Sequence, residues 1–269
     1  MKSKYLYNRF TRFLALPGRA WVGTKEISRT ISSVCSWLIK SREYTNFTYE
    51  ISESNLKKLS FWISVVTDIS VDSASRYISE IMEDETFKLQ LETRTRISRY
   101  RGVSDRQIHF GRRVGWYALI RIVQPQLVVE TGTDKGLGAA VILQALKRNG
   151  HGKLITIDIN QKSGFLLPDK EYDDDFEIRV GDSLIELKKL TSSIDIFIHD
   201  SDHSYDHEFA EYNSVQHLFH AKTLILSDNS AYGDALLDWA LANEKRFFYF
   251  DEEPSDHWYP GSGIGLARD

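Results

Sequence analysis

The sequence predicts an α/β protein: a mostly parallel sheet within residues 105–269, preceded by a helical extension over residues 1–104. Three observations predict it. From Asp105 onward, short apolar runs alternate with amphipathic stretches of helical length, the pattern of strand–helix–strand units with right-handed crossovers. The run Ile194–Ile198 is nearly all apolar, as in a strand covered on both faces. The last two runs, Phe247–Phe250 and Ile264–Ala267, have no helix between them, so that pair should be antiparallel.

The extension reads mostly as helix. Leu56, Leu59, Ile63 and Val66 recur at helical spacing over 53–66, and Tyr77, Ile78, Ile81, Met82, Phe87 and Leu91 do so over 73–91. Asp72 or Ser73 would cap the second helix. A helix over 107–123 ends before Pro125, and a strand follows at 127–130. An amphipathic helix over 137–147 stops at Asn149-Gly150. Strands at 154–158 and 176–180, a helix at 184–190, the strand 194–198, a helix at 209–219, a strand at 223–226 and a helix at 232–243 complete the series.

Composition excludes several classes. With 42% hydrophobic and 27% charged residues, the chain is globular, neither disordered nor repetitive. The one cysteine, Cys35, excludes an internal disulfide and a CxxC metal knuckle, and fits a reducing, cytoplasmic setting. A net charge of −4 gives no basic excess for nucleic acid. The charge is uneven: residues 1–42 carry nine basic side chains against Glu26 alone, a net +8 that leaves −12 elsewhere. The apolar run 13–16 is too short for a signal peptide, and no stretch is long enough to span a membrane. Aromatics among these cations suit a peripheral membrane or acidic-partner contact. The plainer reading is a helical extension packed on its own acidic body or on a second subunit of a homodimer.

In a parallel sheet, ligands bind beyond the carboxyl ends of the strands, where strand order reverses. The first strand is followed by Glu130-Thr131-Gly132-Thr133-Asp134-Lys135-Gly136-Leu137-Gly138. Its spacing is not the GxGxxG of dinucleotide sites, and Gly138 is read as a helix–sheet packing residue. The second strand ends at Asp158, an acid suited to a ribose diol, and the third is followed by Gly181-Asp182-Ser183.

With these motifs the chain resembles the class I S-adenosylmethionine (SAM)-dependent methyltransferases, over about 105–269. The resemblance implies a Rossmann-like sheet and SAM as cofactor. It implies that Glu130, Thr131, Gly132, Thr133 and Gly136 line its methionine end, that Asp158 holds the ribose, and that Asp182 and Ser183 contact adenine. His199 would stand beside the cofactor. The departure is Asp134-Lys135, where a third glycine is common.

The fourth strand runs into Ile198-His199-Asp200-Ser201-Asp202-His203, the fifth into Leu226-Ser227-Asp228-Asn229. Neighbouring strand ends lie ~4.8 Å apart, so Asp200, Asp228 and Asn229 would converge on one cation. Three oxygen donors suit Mg²⁺ or Ca²⁺ better than zinc. This resembles the metal-dependent O-methyltransferases of catechols, caffeoyl-CoA and sugars, which implies those three as metal ligands and His203 as general base, with Asp202 a second acid there. The function expected is divalent-metal-assisted O-methylation of a small hydroxylated substrate, a sugar or secondary metabolite. The metal would lower the hydroxyl pKa and His203 would take the proton. The alternatives are a metal-free methyltransferase, a non-catalytic SAM-binding regulatory or scaffold protein, and a nicotinamide-dependent oxidoreductase with the wrong glycine spacing.

Weaker signals remain open. His207 and His217 read as packing or surface residues, Asp202 could cap the helix from Ser204 onward, and His203 could cap that helix or lie on the surface. The acidic run 169–177 reads as a solvated loop or lid. Trp258, Tyr259, Tyr205 and Tyr232 could meet the acceptor, and Arg99-Tyr100-Arg101-Gly102 could close over the cofactor.

Overall fold

The computed structural model describes residues 13–44, 47–168, 175–255 and 257–269. Much of the acidic run, at 169–174, and the first twelve residues lie outside them.

In chain order the elements are α1 (Leu16–Lys40), β1 (Glu50–Ile51), α2 (Glu53–Thr67), α3 (Val71–Met82), α4 (Glu85–Ile97), α5 (Arg113–Val123), β2 (Leu127–Thr131), α6 (Leu137–Asn149), β3 (Lys153–Asp158) and β4 (Phe176–Val180). Then come α7 (Ser183–Leu187), β5 (Ile194–His199), α8 (Tyr205–Val215), β6 (Phe219–Asp228), α9 (Ala235–Ala242), β7 (Arg246–Phe250), β8 (Pro254–Ser255) and β9 (Ile264–Arg268).

Seven strands form one sheet in the order β4-β3-β2-β5-β6-β9-β7. All pairs from β4 to β6 are parallel, and β9 runs antiparallel to both β6 and β7. The expected antiparallel closing pair is therefore present. The chain steps outward from β2 to β4 and then returns to β5, so the order reverses between β2 and β5 and opens a crevice there.

Side chains alternate between two cores, as the two-residue period of a strand requires. Val128, Leu154, Ile196, Ile198 and Leu226 pack with α5, α6 and the N-terminal helices. Leu127, Val129, Ile155, Phe197 and Ile225 face α7, α8 and α9. Leu59, Ile63, Ile78, Ile81 and Leu91 join the first of these cores. β1 pairs with β8 through Glu50↔Ser255. The extension thus shares the body's core from α2 onward.

Three expected helices differ: the one expected over 209–219 is α8, which starts at Tyr205 and ends at Val215, Phe219 opening β6 instead. The periodicity over 73–91 is broken into α3 and α4, because Asp84 turns the chain and its Oδ1 accepts the Phe87 amide at 3.0 Å as an N-cap. The cap of α3 is Ser70, which accepts from Ser73 N at 3.1 Å. The helix expected over 107–123 begins only at Arg113, after Gly111 with φ 55°.

α1 touches the body near its end, where Trp37 packs edge-on against Phe47 and Trp258. Leu16, Trp21, Val22, Ile27, Ile31, Leu38 and Ile39 are exposed. No described helix is long and apolar enough to cross a membrane.

Candidate active site

The turn after β2 explains its own composition. Gly132 has φ 89°, and a Cβ there would lie 1.8 Å from the Asp200 carbonyl oxygen. Only glycine lets the end of β2 close on the end of β5, a contact sealed by Asp200 N donating to Thr131 O at 2.8 Å. Asp134 has φ 44°, which explains why glycine is common at that place; aspartate is one of the few other residues that enter this region readily. Its amide donates to Asp158 Oδ2 at 2.7 Å, and Asn160 N donates to Asp158 Oδ1 at 2.7 Å. Each carboxylate oxygen keeps a further lone pair, so Asp158 is held in place and still able to accept a ribose diol.

Several expected cofactor contacts face inward instead. Glu130 is buried and accepts from Thr156 Oγ1 at 2.6 Å, and Thr133 Oγ1 lies 2.6 Å from the same hydroxyl. Burial pushes the Glu130 carboxyl up to about 8, against the Thr156 hydrogen bond and the charge of Arg113. Thr131 Oγ1 donates to Glu211 at 2.7 Å. His199 is fully buried and donates from Nδ1 to Glu211 at 2.7 Å, so its ring braces the strand ends rather than facing a ligand. Asp182 caps α7 through Leu184 N at 2.8 Å, and the Ser183 hydroxyl lies 3.0 Å from His207 Nε2. Gly136 caps α6 with φ 90°.

The register His199↔Ser227 brings Asp200 and Asp228 to adjacent strand ends, as expected. They line a cavity of about 150 Å³ with Arg112, Arg113, His203, Asn229, Tyr259, Ser262 and Phe47. His203 Nε2 lies 3.8 Å from Asp200 Oδ1. Burial holds His203 below its ordinary value and leaves it neutral near pH 7. Asp202 is exposed, accepts from Ser204 N at 2.9 Å in the turn into α8, and is not among the residues that line this cavity.

Sequence reasoning missed Arg112 and Arg113. Arg112 is buried and makes a bidentate pair with Asp228, Nε to Oδ1 and Nη2 to Oδ2. Its Nη1 reaches the Tyr49 hydroxyl at 2.9 Å and Glu252 at 3.4 Å. Arg113 Nη2 lies 3.8 Å from Asp200, and its buried Nε has no hydrogen-bond partner. Arg112 holds Asp228 ionised at about 2 against burial, while burial and the Asp228 charge push the Asp200 carboxyl well above its ordinary value.

Asp200, His203 and Asp228 present ligand atoms within 4.8 Å of one another, the convergence that a cation needs. The charge does not fit. Both Asp228 oxygens and Asn229 Oδ1 already face the Arg112 guanidinium. The expected metal ligands are thus brought together, but around an arginine.

The aromatic residues divide. Tyr259 lines the cavity, and Trp258 packs on Trp37 and Phe47. Tyr205 donates to Asp238 at 2.9 Å and Tyr232 to Gly261 O at 3.2 Å, and neither lines the cavity. Tyr100 stacks on Phe165 and lines a separate cavity of about 300 Å³ with Asp134, Lys135 and Asn160.

Residues 129–230 match the model of a family described as a methyltransferase domain. The sheet has the class I methyltransferase fold. Its fold is shared with a methyltransferase from Geobacter sulfurreducens, 19% identical with a TM-score of 0.51 over 66% of this chain and 88% of that one. It is shared too with the O-methyltransferase TomG from Streptomyces achromogenes, involved in tomaymycin synthesis and solved in complex with SAM, at 16% identity and TM-score 0.50 over 66% and 88%. At these identities the likeness is one of fold. No curated protein sequence matches the chain. The matched stretch runs from β2 into the turn after β6, so it contains Asp158, Asp200, His203 and Asp228 but neither arginine.

Proposed function

We propose that the protein is a SAM-dependent O-methyltransferase of a small hydroxylated acceptor, a sugar or a secondary metabolite. One observation carries the reading. Asp158 and the glycine turn stand on the same sheet edge as a cavity lined by His203, across the β2–β5 reversal where such sheets bind ligands. Bound there, SAM supplies a methyl group on a positively charged sulfur.

The chain's own residues account for the rest. Asp158 holds the ribose hydroxyls. The small cavity, lined by Phe47 and Tyr259, admits an acceptor hydroxyl. His203 Nε2 takes the proton of that hydroxyl, because burial keeps the imidazole neutral. Arg113 lines the cavity with Nη2 3.8 Å from Asp200, so its charge meets the negative charge that grows on the oxygen as its proton leaves. Positioning and charge dominate, since methyl transfer needs no covalent enzyme intermediate. Of the two methyltransferase readings, Arg112 on Asp228 favours the metal-free one.

Calorimetry with S-adenosylhomocysteine and labelled methyl transfer to a panel of sugars and phenols test the proposal. Binding that Asp158→Ala weakens about tenfold or more, with label recovered in an ether-linked product, is expected. Absence of nucleoside binding, or binding with no turnover on any hydroxyl, would overturn it.

A further inference from the structure

We propose that the Arg112 guanidinium occupies the seat that the ends of β5 and β6 would offer a divalent ion, so that the site works without one. This rests on reading that rim as the methyl-transfer site. Four of the five N–H groups have the partners already given, two on Asp228, one on the Tyr49 hydroxyl and one on Glu252, and the fifth points to Asn229 Oδ1 at 3.5 Å. Both ligands expected at the end of β6 are therefore turned toward an internal cation.

Arg112 is not free to leave. Its own amide donates to Glu252 Oε1 at 3.0 Å, and Glu252 also accepts from Ser262 N and the Tyr49 hydroxyl, each at 3.0 Å. Withdrawing the guanidinium would strand two buried carboxylates and a buried cation. An ion on the remaining lone pairs of Asp228 would face the guanidinium across a single carboxylate, like charges in a site with little water to screen them. The cation that neutralises the strand-end acid is thus built into the chain, one residue before α5.

A Mn²⁺ titration of the full chain by electron paramagnetic resonance, beside calorimetry with S-adenosylhomocysteine, tests this. No saturable Mn²⁺ binding is expected up to about 1 mM, the weak end of oxygen-ligand sites. In Arg112→Met, the freed Asp228 and Asn229 should create such a site. Saturable binding by the wild type that Asp228→Asn abolishes would overturn the proposal, and that comparison decides the matter even where Arg112→Met does not fold. A wild type that binds neither Mn²⁺ nor the nucleoside would refute the methyltransferase reading while leaving the seat to the arginine.

A different observation carries a second inference: α1 lies on an anionic lipid surface. By helical spacing Leu16, Ile27, Ile31 and Leu38 share one stripe, with Trp21 and Ile39 between it and the cations, and all are 47–85% exposed. Lys25, Arg29 and Lys40 fall on the other side. An anionic surface attracts the +8 of residues 1–42 while its bilayer boundary takes the apolar stripe. The acidic face of a second copy would satisfy the cations and leave the stripe in water. Flotation of the full chain with phosphatidylcholine vesicles, with and without phosphatidylglycerol, tests it. Binding only to the anionic vesicles, lost in Trp21→Glu with Ile31→Glu, is expected. Absence of vesicle binding, or a dimer in light scattering that the same double variant dissociates, would overturn it.

Discussion

Glu211 Oε2 accepts a hydrogen bond from His199 Nδ1 at 2.7 Å, with both side chains fully buried. The same carboxylate accepts from Thr131 Oγ1 at 2.7 Å and Ser201 Oγ at 2.8 Å, so α8 ties together the ends of β2 and β5. Burial opposes its ionisation, but hydrogen bonds from His199 and His207 hold it well below the usual carboxylate range. Glu211→Ala leaves these buried donors without an acceptor. A loss of roughly 3–5 kcal/mol in urea unfolding is expected.

Glu130 predicts a pH dependence. Its folded carboxyl stays protonated up to about 8, whereas the unfolded chain ionises near 4.5. Between those values the unfolded state releases a proton that the folded state keeps, so stability falls as pH rises. In Glu130→Gln that contribution disappears. The Tm difference, variant minus wild type, should therefore grow from pH 5 to pH 8 in calorimetric scans.

Gly138 reverses a familiar trend. Glycine to alanine within a helix usually stabilises by about 1 kcal/mol. Here a Cβ would lie 2.5 Å from Glu130 Oε1 and 2.9 Å from the Trp116 ring. Gly138→Ala should destabilise by about 1–3 kcal/mol through overpacking, read as a lower urea midpoint at unchanged slope.

His203→Gln should lower kcat about 10²- to 10⁴-fold with the fold intact, as expected for the loss of a general base. Since burial depresses the His203 pKa, wild-type kcat/KM should fall on the acid side only below about pH 6.5. The variant's residual rate should lack that limb.

The strands from β2 to β9 of the large sheet were all legible, because apolar runs and alternation are local properties of the chain. So was the adjacency of Asp200 and Asp228, which follows once consecutive strand ends share an edge. The break at Asp84 was hidden because the apolar spacing continues through it. The inward turn of Glu130, Thr131 and His199 was hidden as well, since a motif gives position along a strand and not which core a side chain enters.

The sequence by itself determined a parallel sheet with an antiparallel close, a glycine turn facing Asp158, and two aspartates at one edge. Tertiary structure alone decided what those aspartates hold. Arg112 lies 116 residues before Asp228, and Tyr49 and Glu252, which complete its shell, are 203 residues apart. Charges that far apart in the chain leave no periodic trace, and only packing of the N-terminal segment against the closing strands brings them together.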